Sequence, residues 1–171
     1  MTRTETQTTE RPRPSLSSPI VAALEATWAA IQARHPEIPD VVLVLASGSV
    51  GMPRGVLRLG HFAAMRWHHT HPATGQQLPE VFVGGEGLAR GPVAVLGTLL
   101  HEATHALAHI RGIQDCSRQG RYHNRRFLVL AGELGLEVRQ VPVIGWSDTH
   151  VPAATAADYV AQLDRLSAAL V

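Results

Sequence analysis

The chain has 171 residues, the length of one domain, and 45% of them are hydrophobic, enough to bury a core, which excludes a disordered or fibrous protein. Fifteen basic side chains against 14 acidic ones leave a formal net charge of +1, which excludes binding to polyanions through bulk charge alone. All 15 basic residues are arginine, excluding lysine chemistry, and the single Cys116 excludes an internal disulfide or a thiolate zinc cluster, so any metal site is expected to use His, Asp or Glu.

No run of about 18 apolar residues is available for a spanning helix, and no hydrophobic stretch follows a basic start as in a secretory signal. The expectation is a soluble, cytoplasmic protein with no membrane partner. Residues 1–16, rich in Thr, Arg and Pro, have little to bury and are expected to form a flexible tail, leaving 17–171 as the domain. Ser18-Pro19 opens a helix whose inner stripe is Val21, Leu24, Trp28 and Ile31, and which Pro36 closes.

The short β-branched run Val41 to Ala46 predicts a buried strand. Val56 to Leu59 and Phe62 to Trp67 predict one bent strand or two, and Val81 to Val83 another before Gly84-Gly85. His68, His69 and His71, with His61 nearby, form a histidine cluster read as exposed hairpin residues or a second metal site.

From Gly91-Pro92 the period changes. Val95, Leu96, Leu99, Leu100, Ala103, Leu107 and Ile110 describe an apolar helix that Gly112 ends. His123, Phe127, Leu130, Ala131 and Leu134 continue as a second helix up to Gly135, Val138 to Ile144 reads as extended, and Tyr159 to Leu170 carries the stripe of a last helix.

Inside the apolar helix lies His101-Glu102-Ala103-Thr104-His105. Four residues turn a helix by roughly 400° and advance it about 6 Å, so two imidazoles at that spacing project from one face within reach of a single cation. Glu102 lies about 100° around the helix, near the open side of such a cation, where a carboxylate acts as acid/base without being a ligand. A buried His-Glu-x-x-His on a greasy helix is costly unless a partner such as a metal compensates it.

A catalytic zinc takes three protein donors, so a third is needed. His109 stands about 12 Å along the helix from His101, too far to join the pair. Glu133 and Glu137 are carboxylate candidates. His123 is better placed, because the loop before it is long enough to fold the second helix back on the first, with Phe127 and Leu130 turning its face toward the core.

The stretch TLLHEATHALAHIRGIQDCSRQGRYHNRRFLVLAGELGL, from Thr98 to Leu136, resembles the SprT-like zinc metallopeptidases, relatives of Spartan. In that family a His-Glu-x-x-His helix is followed by a His-Gly-x-x-Phe signature. Here the corresponding residues are His123-Asn124-Arg125-Arg126-Phe127, with Asn in place of Gly. The resemblance implies Zn²⁺ held by His101, His105 and His123, with Glu102 as catalytic acid/base. It extends more weakly through LGHFAAMRW and PEVFVGGEGL to roughly residues 17–170, and the family's C-terminal cysteine ribbon is absent.

The expected fold is therefore α+β and zincin-like: an N-terminal helix, a small sheet, the active-site helix and a second helix carrying the third ligand. The expected activity is zinc-dependent peptide hydrolysis on protein substrates, DNA-associated proteins among them. Two alternatives stay open: a non-catalytic zinc-stabilised binding module, in which Asp115, Glu133 or His150 closes the coordination sphere, and a zinc hydrolase acting on something other than a peptide. Tyr122 and His150 are candidates for stabilising an oxyanion, and Arg121 for a substrate contact. Arg118, Arg121, Arg125 and Arg126 are where nucleic acid would bind if it does, and Cys116 reads as incidental.

Overall fold

The computed structural model describes residues 17–67, 75 and 77–170, so the expected tail at 1–16 and the His68, His69 and His71 cluster lie outside the described residues. The chain is a mixed α+β fold, with helices and two small sheets among the described residues. Helix α1 (Ser17–Arg34) buries Ala23, Leu24, Trp28 and Ile31, close to the stripe its spacing predicts, and the Trp28 indole donates to Pro39 O at 3.2 Å to fix the turn that follows.

Strands β1 (Val42–Ala46), β2 (Gly60–Ala63) and β3 (Glu80–Gly84) form the first sheet in the order β1-β3-β2. β3 runs parallel to β1 and antiparallel to β2, and its buried Val81 and Val83 face the core. The expected strand at Val56 to Leu59 is absent and Phe62 to Trp67 is cut short, because exposed Val56 and Leu57 have nothing to pack on and Met65 turns the chain at φ 47°.

The loop after β1 is tied down by a carboxylate on the short 3₁₀ helix Gly85–Arg90. Ser47 Oγ donates to the Glu86 carboxylate at 2.7 Å, and the Gly48 amide donates to it at 2.6 Å. Those two bonds hold the Glu86 carboxyl down to about 2 from its usual 4.5. A carboxyl depressed on folding stabilises fully above its unfolded value, and that contribution is lost as pH falls through the folded one. Glu86→Gln is thus expected to flatten the loss of stability between pH 4.5 and about 2, measured by urea unfolding across that range.

Helix α2 (Pro92–Ile110) is the central element. Proline occupies its first turn after Gly91 at φ 86°, and Val95, Leu96, Leu99, Leu100, Ala103, Ala106, Leu107 and Ala108 are all buried. Apolar residues wrap much of its circumference because other elements surround it: α1, β2 and the last helix on some sides, and the second half of the chain on another.

That second half differs from expectation. Cys116–Ser117 (β4) and Tyr122–His123 (β5) form a short hairpin, turned by left-handed Arg118, Gln119 and Gly120. Helix α3 (Arg125–Glu133) starts only after Asn124, whose side chain accepts from the Arg126 amide at 2.7 Å. His123 is therefore on a strand ahead of the cap, not on the helix. β6 (Glu137–Val141) and β7 (Gly145–His150) complete a second sheet ordered β4-β5-β7-β6, so only the first part of Val138 to Ile144 is strand. The single last helix is two, α4 (Ala153–Asp158) and α5 (Val160–Ala169), broken at Tyr159 by its φ of −119°. Among the described residues no helix is long and apolar enough to cross a membrane.

Candidate metal centre

One turn of α2 separates His101 from His105, and their ring centroids lie 5.1 Å apart. The β5 strand brings His123 to the same place, 5.0 Å from His101 and 5.1 Å from His105. Donor atoms of the three fall within 4.8 Å of one another, and the Nε2 atoms of His105 and His123 face each other at 3.2 Å. The buried Phe127 ring forms an apolar floor, 4.8, 5.0 and 4.5 Å from the rings of His101, His105 and His123.

Two of the rings are gripped from outside. His101 Nδ1 meets Thr149 Oγ1 of β7 at 3.3 Å, and His105 Nδ1 meets Asp115 Oδ2 at 2.6 Å, which leaves Nε2 of each for the centre. The His123 main-chain amide donates to Ile144 O at 3.0 Å, and the residue pairs with Cys116 on one side and Gly145 on the other. Gly145 has to be glycine: its φ is 76° and a Cβ would sit 2.1 Å from His123 O.

Burial, then the charges of His105 and His123, push the His101 imidazole well below its usual range, and burial followed by His105 lowers His123. His105 goes the other way. Burial is the largest single influence and opposes charge, yet hydrogen bonds to Asp115 and Cys116 with the charges of Glu102 and Asp115 carry it up to about 10. Three imidazoles, one of them charge-supported by a carboxylate, fit a divalent cation better than they fit each other.

Glu102 is buried beside the trio, and burial raises its carboxyl to about 7. The Phe62 amide of β2 donates to it, and β2 comes so near that a Cβ on Gly60 would lie 2.3 Å from Glu102 Oε1. Two open cavities meet here. One of about 510 Å³ runs toward the start of α2, another of about 490 Å³ runs toward its end, and both are lined by His101 and Glu102.

Of the residues expected from sequence, His101, Glu102, His105 and His123 come together. His150 lines the first cavity, paired with Asp148 at 3.1 Å. Tyr122 does not reach the centre: alternation along β5 sends its ring outward, under the Arg118 guanidinium at 4.9 Å. Arg121 bonds Gln119 in the exposed hairpin turn, and none of Arg118, Arg121, Arg125 and Arg126 lines either cavity. Glu133 is bound to Arg111 at 2.7 Å on the surface, Glu137 is exposed on β6, and His109 lines the second cavity against Phe62.

Cys116, read as incidental from sequence, lies among possible donors. Its position opposite His123 places it with His105 and Asp115 in a second group whose donor atoms lie within 4.8 Å, so the exclusion of sulfur from any metal site does not hold. Thr149 and Asp115, the residues that hold the rings of His101 and His105, carry no sequence signal of that role. Asp115→Asn is expected to weaken metal binding about 10- to 100-fold with the fold intact, measured by competition with a chromophoric chelator.

Compared with known protein families, curated proteins and solved structures, the chain matches none of them.

Proposed function

We propose that this chain is a zinc-dependent metallopeptidase of the zincin-like, SprT-like kind, with His101, His105 and His123 as ligands and Glu102 as acid/base. The observation that carries the reading is the buried Glu102 carboxylate beside three converging imidazoles, at the junction of two cavities. Imidazole donors suit zinc, and three protein donors are the number a catalytic zinc uses. A zinc ion bound there supplies Lewis acidity, polarising a carbonyl and making water a better nucleophile.

The chain's own groups do the rest. Glu102, fixed by the Phe62 amide, takes a proton from water and returns it to the leaving amine. His150, on the wall of the first cavity, donates to the carbonyl oxygen as negative charge builds on it. β2 is an edge strand beside the second cavity, so an extended peptide laid through the junction meets backbone groups able to pair with it. That favours a peptide over another hydrolysable substrate, and protein substrates, DNA-associated ones included, stay within the proposal. The four exposed arginines are the place for any nucleic acid.

The test is stripping and reloading. Chelation is expected to abolish cleavage of an unfolded protein substrate, and one equivalent of Zn²⁺ to restore it. A second reading is favoured by Asp115 and Cys116 gathering at His105: a non-catalytic zinc-stabilised binding module. Stoichiometric zinc with no cleavage of unfolded protein, DNA-bound protein or short peptides would establish that reading instead.

A further inference from the structure

The cavity that runs from His101 toward the start of α2 has walls of different character. Leu59, Val93, Ala94 and Val151 make one side of it apolar, Thr98, Ser147 and Thr149 line the rest with hydroxyls, and Gly97 keeps it open, since a Cβ there would be 3.2 Å from Val151. On the β7 side its two titratable groups, Asp148 and His150, are paired with each other at 3.1 Å. At the far end stands Arg90, the last residue of the 3₁₀ helix, which is exposed and whose side chain has no hydrogen bond or ion pair with any described residue. The first turn of α2 holds no acidic side chain, so its unpaired amides add to the same positive end.

From this asymmetry we infer that Arg90 is a specificity-determining residue: it receives a carboxylate of the substrate, whose stem lies along the apolar side of the cavity from the reacting carbonyl. The inference rests on the metallopeptidase reading and adds a substrate class to it. From Ala94 to Glu102 is about 12 Å along α2, so Arg90 and a substrate residue next to the reacting bond must each extend toward the other. A glutamate side chain or the carboxyl terminus of a short peptide has the stem and the charge to do so. A guanidinium holds either with two parallel hydrogen bonds, and both present the same chemistry to it.

The two sources separate in a binding experiment that needs no turnover. Zinc-loaded protein is titrated by calorimetry with short peptidyl hydroxamates, anchored at the metal and alike except in one group. One carries Glu with an amidated end, one Gln with an amidated end, one Gln with a free terminal carboxylate. At least one carboxylate ligand is expected to bind about 10-fold more tightly than the neutral one, and which of them does so names the source. Arg90→Ala should erase the difference, and Arg90→Glu should transfer the preference to a Lys ligand. Equal affinities in the wild type, or a carboxylate preference that survives Arg90→Ala, overturns the inference and leaves the metallopeptidase reading standing. Failure of the chain to hold zinc, read from metal content of the same samples, overturns both, and zinc-loaded protein that binds no hydroxamate overturns the role of Arg90.

Discussion

Glu102→Gln is expected to keep both fold and zinc and to lose peptide hydrolysis by a factor of about 10² to 10⁴. The amide has nearly the shape of the carboxylate, which matters at a residue only 5% exposed. Its oxygen still accepts from the Phe62 amide, and the clearance above Gly60 is unchanged. What it cannot do is take a proton from water and give it back. The measurement is kcat/KM on an unfolded protein alongside metal content, and cleavage at the wild-type rate would remove Glu102 from its role.

His123→Ala is expected to release the metal from a chain that stays folded. The two imidazoles on α2 remain, but two donors hold a zinc ion far less well than three, so affinity should fall by more than the roughly 100-fold attached to an orienting partner such as Asp115. Phe127 keeps its place in the core with two rings still over it. His109→Ala, one turn beyond His105, is the matched control and should leave affinity unchanged. Equilibrium dialysis with far-UV dichroism separates lost binding from lost structure, and wild-type zinc affinity in His123→Ala would take away the third donor.

The parts of this centre that were legible are those written in local periodicity. α2 announces itself because its apolar residues recur at helical spacing over five turns, and the motif residues inherit their geometry from that helix. His123 was legible as a candidate but not in its setting. Its spacing to Phe127 and Leu130 continues the helical period back past the start of α3, and periodicity alone does not register that Asn124 caps the helix one residue later.

The second sheet was harder to read. β4 and β5 are two residues each, too short for any alternation to show. β7, Gly-Trp-Ser-Asp-Thr-His, is half-buried on both sides and polar, so nothing in it resembles a core strand. Yet this sheet contributes Thr149 to His101 and, through β4, sets Cys116 beside His105. Long-range pairing created those neighbours, and Thr149 is 48 positions from the ring it holds.

The pairing of β7 with β5 at Gly145 and His123 has a consequence for how this centre can fail. With Gly145 pressed against the carbonyl of His123, a single methyl group at 145 would act as a lever, prising the third imidazole away from the other two. All three histidines would still be present in such a chain, and loss of any metal they hold is the expected outcome all the same. The fulcrum of the centre is a residue with no side chain, and screening substitutions at the histidines alone would pass over it.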